Sequence, residues 1–453
     1  MNRQSLSPLM SELSAYIAQS PRKPLPAAVV EKTKHHVLDT LAAMVSGSRL
    51  LPGRKAISYV KSLGGAKEAC VVGSRIVTNA VNAALANGMS AHADETDDSH
   101  AASLTHPGCG VVPAALAMAE RERRGGAALL RAVALGYDVG CRLTLSLDPY
   151  RFREAGHSTH SFGPTFGAAA AAAALAGLKA PQVRHALSYA AQQASGISCW
   201  MRDPEHIEKA FDFGGMPARN GVTAAAMAAH GLSGVEDVFS GERSFFVAYP
   251  GEAQVLVRGL GETFEILNAS IKRWSVGSPI QAPLDSLLVL IKENCLKPRD
   301  VVRVVVRVAH QGANTVDNRD MPDICMQHMC AVMLLDGTVS FKSSHDEKRM
   351  RDRRVVAVRE KVELLGDDAM SAAMPSRQGI VELELADGRR LQHHTRAVRG
   401  TPDNPMTRAE VDAKSYDLLA PAIGRGKARR LCDAVWNLDR IDDVRSLRPL
   451  LRV

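Results

Sequence analysis

Residues 78–110 read TNAVNAALANGMSAHADETDDSHAASLTHPGCG. The first half spaces Ala, Val and Leu as a buried helix does. The second half crowds His92, Asp94, Glu95, Asp97, Asp98, His100 and His106 together and closes on a Pro-Gly turn. A polar cluster thus stands where a helix runs out. Carboxylates and imidazoles held by a rigid element are a common way to build a proton-transfer site. The competing reading is a solvated acidic loop with a helix cap, the usual fate of a charge run. Three histidines among the carboxylates weigh against it.

Outward from this stretch, helical patterns dominate. Residues 6–19 and 27–46 read as helices, the second ending at Gly47. Gly64–Thr78 is a turn-rich connector with a short strand-like patch. Helical patterns resume at 126–143, 166–178, 181–197 and 218–231. The run FGAAAAAAALAGL (166–178) predicts a buried helix whose neighbours approach closely. The texture changes near residue 265. VVRVVVRVA (301–309) alternates as a strand does, and GIVELELADGRRLQHH (379–394) alternates on both sides of Asp387-Gly388, a hairpin signal. Helices are expected around 281–294 and 322–335, and again after Asp403-Asn404-Pro405. The pattern predicts a mainly α protein. A large all-α domain covers residues 1–267, with 403–453 returning to it, and a smaller α+β domain covers 268–402.

Composition narrows the class. Aromatics make up only 4% of the 453 residues, which favours closely packed helices over a β-sandwich. The net charge is +8 with a pI near 9.1. The basic residues are spread out, apart from Lys348–Arg354 and Arg425–Arg430. No basic face interleaved with aromatics is visible, so no nucleic-acid partner is expected. Mild positive charge suits an anionic substrate. The eight cysteines form no CxxC pair, which points to a reducing cytosol and a cytoplasmic protein. No signal peptide or membrane span is read.

Three further polar stretches stand out. GHSTHSFGPTFG (156–167) puts His157 and His160 ahead of the Ala helix, where a helix dipole favours an anion. HIEKAFDFGGMPARNG (206–221) sets Lys209 before a Gly-rich loop, with Arg219 opening the next helix. NASIKRWSVGSPIQAPLD (268–285) sets Lys272 and Arg273 before a turn into a helix, a plausible carboxylate cradle. No nucleotide-binding, zincin or hydrolase-elbow motif occurs.

Together with MPDICMQHMCAVMLLDGTVSF (321–341), the order of these stretches resembles the MmgE/PrpD family. That family includes 2-methylcitrate dehydratase, cis-aconitate decarboxylase and iminodisuccinate epimerase. The resemblance runs over nearly the whole chain. It implies a homodimer, an all-α domain with an α+β lid-like domain, and a cofactor-free site between them. Against the family pattern HALDFDDTH followed by HPG, Glu95 stands at the first Asp. Asp97 and Asp98 match the Asp pair, Ser99 replaces Thr, and His100 and His106 match. The second motif is one residue longer than usual, so either His157 or His160 takes the catalytic position. Lys209 and Lys272 match the family lysines. The tyrosine that the decarboxylases place before the last motif has no counterpart. The nearest residue is Thr315.

The resemblance implies a shared set of parts for small di- and tricarboxylates. His106 with His157 or His160 would be the acid/base pair. Asp94, Glu95 and Asp97 would orient an imidazole or hold a leaving hydroxyl. Lys209 and Lys272 would hold carboxylates, with Ser99, His100 and Arg273 as further substrate contacts. The expected protein is a cofactor-independent lyase of the dehydratase type, acting on a 2-methylcitrate-like acid. An epimerase of an iminodicarboxylate and a decarboxylase of a cis-aconitate-like acid are the alternatives within enzymes. A metal-binding or interaction protein on a helical scaffold is the alternative outside that set, since His92, Asp94, Asp97, His100 and His106 include metal-ligand types.

Overall fold

The computed structural model describes residues 6–453. The chain forms two compact units. One runs to Ala269 and takes in Val411–Val453; the other is Ser270–Glu410.

The first unit is helical. Its main helices are α1 (Ala27–Gly47), α2 (Ala80–Ala91), α3 (Pro107–Arg121), α4 (Gly126–Ser146), α5 (Thr159–Leu175), α6 (Ile207–Ala210) and α7 (Met216–Ala229). Helix α5 is the hub, buried along its whole length and packed against α3, α4 and α7. Small residues make this possible. A Cβ on Gly167 would lie 2.3 Å from the Gly136 carbonyl oxygen, and one on Gly163 would lie 2.4 Å from that of Gly140. The α4 and α5 backbones therefore touch. Few aromatics are needed where backbones meet this closely.

Two local expectations are corrected. The Ala helix begins at Thr159, seven residues before the run that announced it. Gly163 and Pro164 do not break it, and His160 lies in its first turn. The glycines after Lys209 are not a loop either. Phe211–Gly215 form a π turn that joins α6 to α7, so Arg219 lies inside a helix. The glycines serve an approach: a Cβ on Gly88 of α2 would lie 2.3 Å from the Gly214 carbonyl oxygen. A helix at Leu51–Leu63 was not anticipated.

The second unit carries the valine-rich strand as β1 (Val301–Ala309), followed by β2 (Val362–Asp367), β3 (Gly379–Leu385) and β4 (Arg390–Thr395). The sheet order is β2-β1-β3-β4. Strands β1 and β2 are parallel, and the other pairs are antiparallel. Gly388 turns the β3–β4 hairpin at φ 85°, as the Asp-Gly pair predicts. Strand β2 had not been read from the sequence. Leu284, Leu287, Met329 and Val332, from two helices, share a buried core with Val304, Val306, Val381 and Leu383 of the sheet.

Gly167→Val should overpack the α4–α5 crossing. A loss of about 1–3 kcal/mol or more is expected, read as a lower urea midpoint at unchanged slope.

Candidate active site

The stretch after α2 is no solvated face. His92, Asp94, Glu95, Asp97, Asp98, His100 and His106 are all buried. Burial forces each charged or polar group to find a partner, and the partners fix the path of the loop. The Asp94 carboxylate turns into its own loop, accepting from the Thr96 amide at 3.1 Å and its hydroxyl at 2.6 Å. The Thr96 carbonyl accepts from Lys414 at 2.9 Å, and Lys414 also lies 2.5 Å from Asp39 of α1. Burial pushes Asp39 up to about 6, against the pull of Lys414. Asp98 accepts from His36 at 2.6 Å, from the Gly108 amide at 3.0 Å and from the Tyr137 hydroxyl. Burial alone would raise Asp98, but the His36 and Tyr137 bonds outweigh it and hold it below the usual carboxylate range. His36, pushed down to about 4 by burial, stays neutral and donates its N–H.

Asp97 is the centre of the loop. Its Oδ1 accepts from His106 Nδ1 at 3.1 Å, and its Oδ2 lies 2.9 Å from His92 Nδ1. One carboxylate thus faces two imidazoles. His106 is also the residue from which α3 starts, so its backbone is fixed by a helix end.

A second element completes the cluster. Phe213, on the π turn, stacks on His160 with ring centres 3.7 Å apart and on His92 at 4.2 Å. His106 and His160 have ring centres 5.3 Å apart, and so do His106 and Phe213. His206 lies 5.2 Å from His92. The Lys209 ammonium stands 5.3 Å from the Phe213 ring and 5.5 Å from Trp200, and it pairs with Glu95. The insertion of one residue in a π turn re-aims side chains, which is why such turns recur at functional sites. Burial pushes His160 well below the imidazole range, and nearby His106, Arg153, His92 and Lys209 add to it. His206 is lowered likewise, by burial first and then by Lys209 and His92. Both rings are neutral at pH 7.

The structure thus brings together His106, His160, Asp97, Glu95 and Lys209. His157 lies apart, half-buried, its ring stacked on Phe152 at 4.4 Å. His100 also faces elsewhere, with Nε2 3.2 Å from Glu265 and Nδ1 2.8 Å from the Ser103 hydroxyl. Ser99 is half-buried beside it. In the second unit, Lys272 is buried, while Arg273 donates to Asp285 at 3.2 Å and lies 4.6 Å from the Trp274 ring. His206, Phe213 and Trp200 were not singled out from sequence. The signal available was spacing alone: His206 and Phe213 fall three before and four after Lys209, one face of a helix.

The groups converging here are two neutral imidazoles, a carboxylate with two further imidazoles, and a cation paired to a glutamate. Such a set can move protons on an anionic substrate.

The chain matches two family models that together cover most of its length. The MmgE/PrpD N-terminal domain matches residues 11–256, and the MmgE/PrpD C-terminal domain matches residues 274–440. The human cis-aconitate decarboxylase is 26% identical over 94% of this chain and 90% of its own length. The cis-aconitate decarboxylase of Aspergillus terreus is 22% identical over 98% of this chain and 96% of its own. A cis-aconitate decarboxylase-like protein of Aspergillus oryzae is 29% identical over 58% of this chain, which spans 55% of that relative.

Asp212 on the π turn, beside Phe213, gives a pH signature. Burial pushes its carboxyl up to about 7, although the Ser158 and Ser161 hydroxyls oppose this. Between about pH 4 and 7 the folded chain keeps a proton that the unfolded chain has released. Its stability contribution therefore falls as pH rises through that window and is level above it. Asp212→Asn should remove this slope of up to about 1.4 kcal/mol per pH unit. Urea titrations of both proteins from pH 4.5 to 7.5 measure it.

Proposed function

The chain belongs to the MmgE/PrpD family, and from that premise we propose a lyase of small polycarboxylates, with decarboxylation of a cis-aconitate-like acid as its reaction. The observation that carries the reading is the His106–His160 pair. One ring is backed by Asp97, the other is neutral, and Lys209 stands over the same Phe213 ring. Relatives that match along nearly the whole chain bear the name cis-aconitate decarboxylase, which favours this reaction over the dehydratase expected from sequence.

The chemistry needs little. Loss of carbon dioxide breaks the bond between a carboxylate carbon and the methylene it stands on. The electron pair left behind forms a new double bond to the central carbon. The old double-bond pair moves to the far carbon, which then takes a proton. His106 suits the donor role: Asp97 takes its Nδ1–H, leaving Nε2 to exchange the proton, and the carboxylate steadies the imidazolium. His160, kept neutral, hydrogen-bonds the substrate or its developing charge. Lys209 holds a carboxylate, releasing Glu95 as it does so. In the second unit, Lys272 keeps the carboxylate-holding role that its family motif gives it. The same reading has the protein work as a cytosolic homodimer.

One observation favours a second reading, dehydration of a 2-hydroxy tricarboxylate. Thr315, the residue nearest the decarboxylase tyrosine, is exposed and gives its hydroxyl to the Gln311 carbonyl at 2.8 Å. It cannot replace a tyrosine as a proton donor. A neutral His160 as base and His106 as acid would serve dehydration with no tyrosine.

Proton NMR in D₂O separates these readings. The purified protein is given cis-aconitate, citrate, 2-methylcitrate and iminodisuccinate in turn. Decarboxylation predicts a product from cis-aconitate with one carboxylate fewer and one deuterium on the far carbon. Water lost from a hydroxy acid would move the reaction to a dehydratase. Deuterium exchange with the skeleton intact would make it an epimerase. No change in any compound would overturn the substrate class. His106→Ala should lower turnover about 10²–10⁴-fold with an unchanged melting temperature.

A further inference from the structure

His92 and His206 are left without a task in the lyase reading. His92 is fully buried; its Nδ1 faces Asp97 Oδ2 at 2.9 Å, and its Nε2 has no hydrogen-bond partner among the described residues. His206 is 7% exposed, and its Nε2 is likewise without a hydrogen-bond partner. Leaving a buried polar atom unpaired is costly, so two such ring nitrogens on neighbouring imidazoles call for a ligand. His206 also carries a backbone strain: it holds φ 60° with a full side chain. Strain of this kind persists where the surroundings fix a residue for binding.

The donor atoms converge. One ligand atom from each of His92, Glu95 and His206 lies within 4.8 Å of the others. Ligands about 2.1 Å from a common tetrahedral ion lie about 3.4 Å apart, so small rotations close the set. We infer that His92, Glu95 and His206 form a binding site for a divalent transition-metal ion of the zinc class. Two imidazoles and one carboxylate are a donor set for such ions, with a coordination position left open. Hard ions such as Mg²⁺ prefer all-oxygen sets. Asp97 supplies the outer contact: its Oδ2 lies 2.9 Å from His92 Nδ1, which fixes the ring and aims Nε2 away from it. Glu95 also accepts from Lys209 through Oε1, so an ion and the lysine compete for one carboxylate. Loading the site loosens Lys209 from Glu95. The inference does not depend on the lyase reading, because it concerns binding alone.

The test uses the full chain, purified without a tag and stripped with EDTA. Zn²⁺ is titrated by calorimetry and counted by mass spectrometry after dialysis, and Co²⁺ is added to a second sample to record its visible absorption. One retained Zn²⁺ per chain and a four- or five-coordinate Co²⁺ spectrum are expected. Binding should weaken more than about 100-fold in His206→Ala and in Glu95→Gln, beyond the effect of removing an outer-shell partner. Circular dichroism confirms that each variant folds, and Glu95→Gln preserves size if His206→Ala does not fold. No retained Zn²⁺ in the folded wild type, or equal retention in both folded variants, would overturn the site. Failure of the lyase reading looks different: Zn²⁺ is retained, yet no polycarboxylate turns over.

Discussion

A carboxylate taken out of water must be met by charge or by hydrogen bonds. Asp97 is fully buried, and what meets it is a pair of imidazoles. Much of the first unit is arranged around that constraint. The loop can bury so many carboxylates because each has a different counterpart: Lys209 for Glu95, the histidines for Asp97, and His36 and Tyr137 for Asp98. The partners come from α1, α4, α6 and Lys414, so the loop is fixed from several sides. A loop pinned this way holds His106 in place without help from a ligand.

The rigidity of the frame has a simple source. The helices meet through glycine and alanine, so that α4 and α5 touch backbone to backbone. Such contacts leave little room for rearrangement, because interiors are close-packed. The π turn uses the same device at Gly88 and Gly214, and it places Phe213 where one ring can stack on two imidazoles and underlie a cation. Stacking, burial and the shared carboxylate thus act on the same few groups.

Much of this was legible in the sequence. The alternating valines of 301–309 and the Asp-Gly turn at 387–388 each carry one short-range signal, and the strand and the hairpin formed as read. The mainly α class with a smaller α+β part holds as well. What was not legible depended on partners distant in the chain. Gly163 and Pro164 fell before the expected start of the Ala helix at 166, yet the helix runs through them and the glycine is demanded by the α4 crossing. Gly214 and Gly215 read as a loop, yet they let α2 approach. The choice between His157 and His160 could not be made by spacing, because an insertion of one residue leaves both admissible. In the fold, one ring packs on Phe152 and the other on Phe213. His206 gave only a spacing signal, and a lone histidine beside a lysine reads as surface. Its left-handed backbone and buried ring exist only in three dimensions.

The central claim is that Asp97 organises the imidazoles that move the proton. The most direct measurement is turnover of cis-aconitate by Asp97→Asn, which keeps the size of the side chain, removes its charge and turns one of its two acceptor atoms into a donor. The account predicts a protein that melts within a few degrees of the wild type and turns over about 10²–10⁴-fold more slowly. A folded variant within a few-fold of the wild-type rate would contradict it.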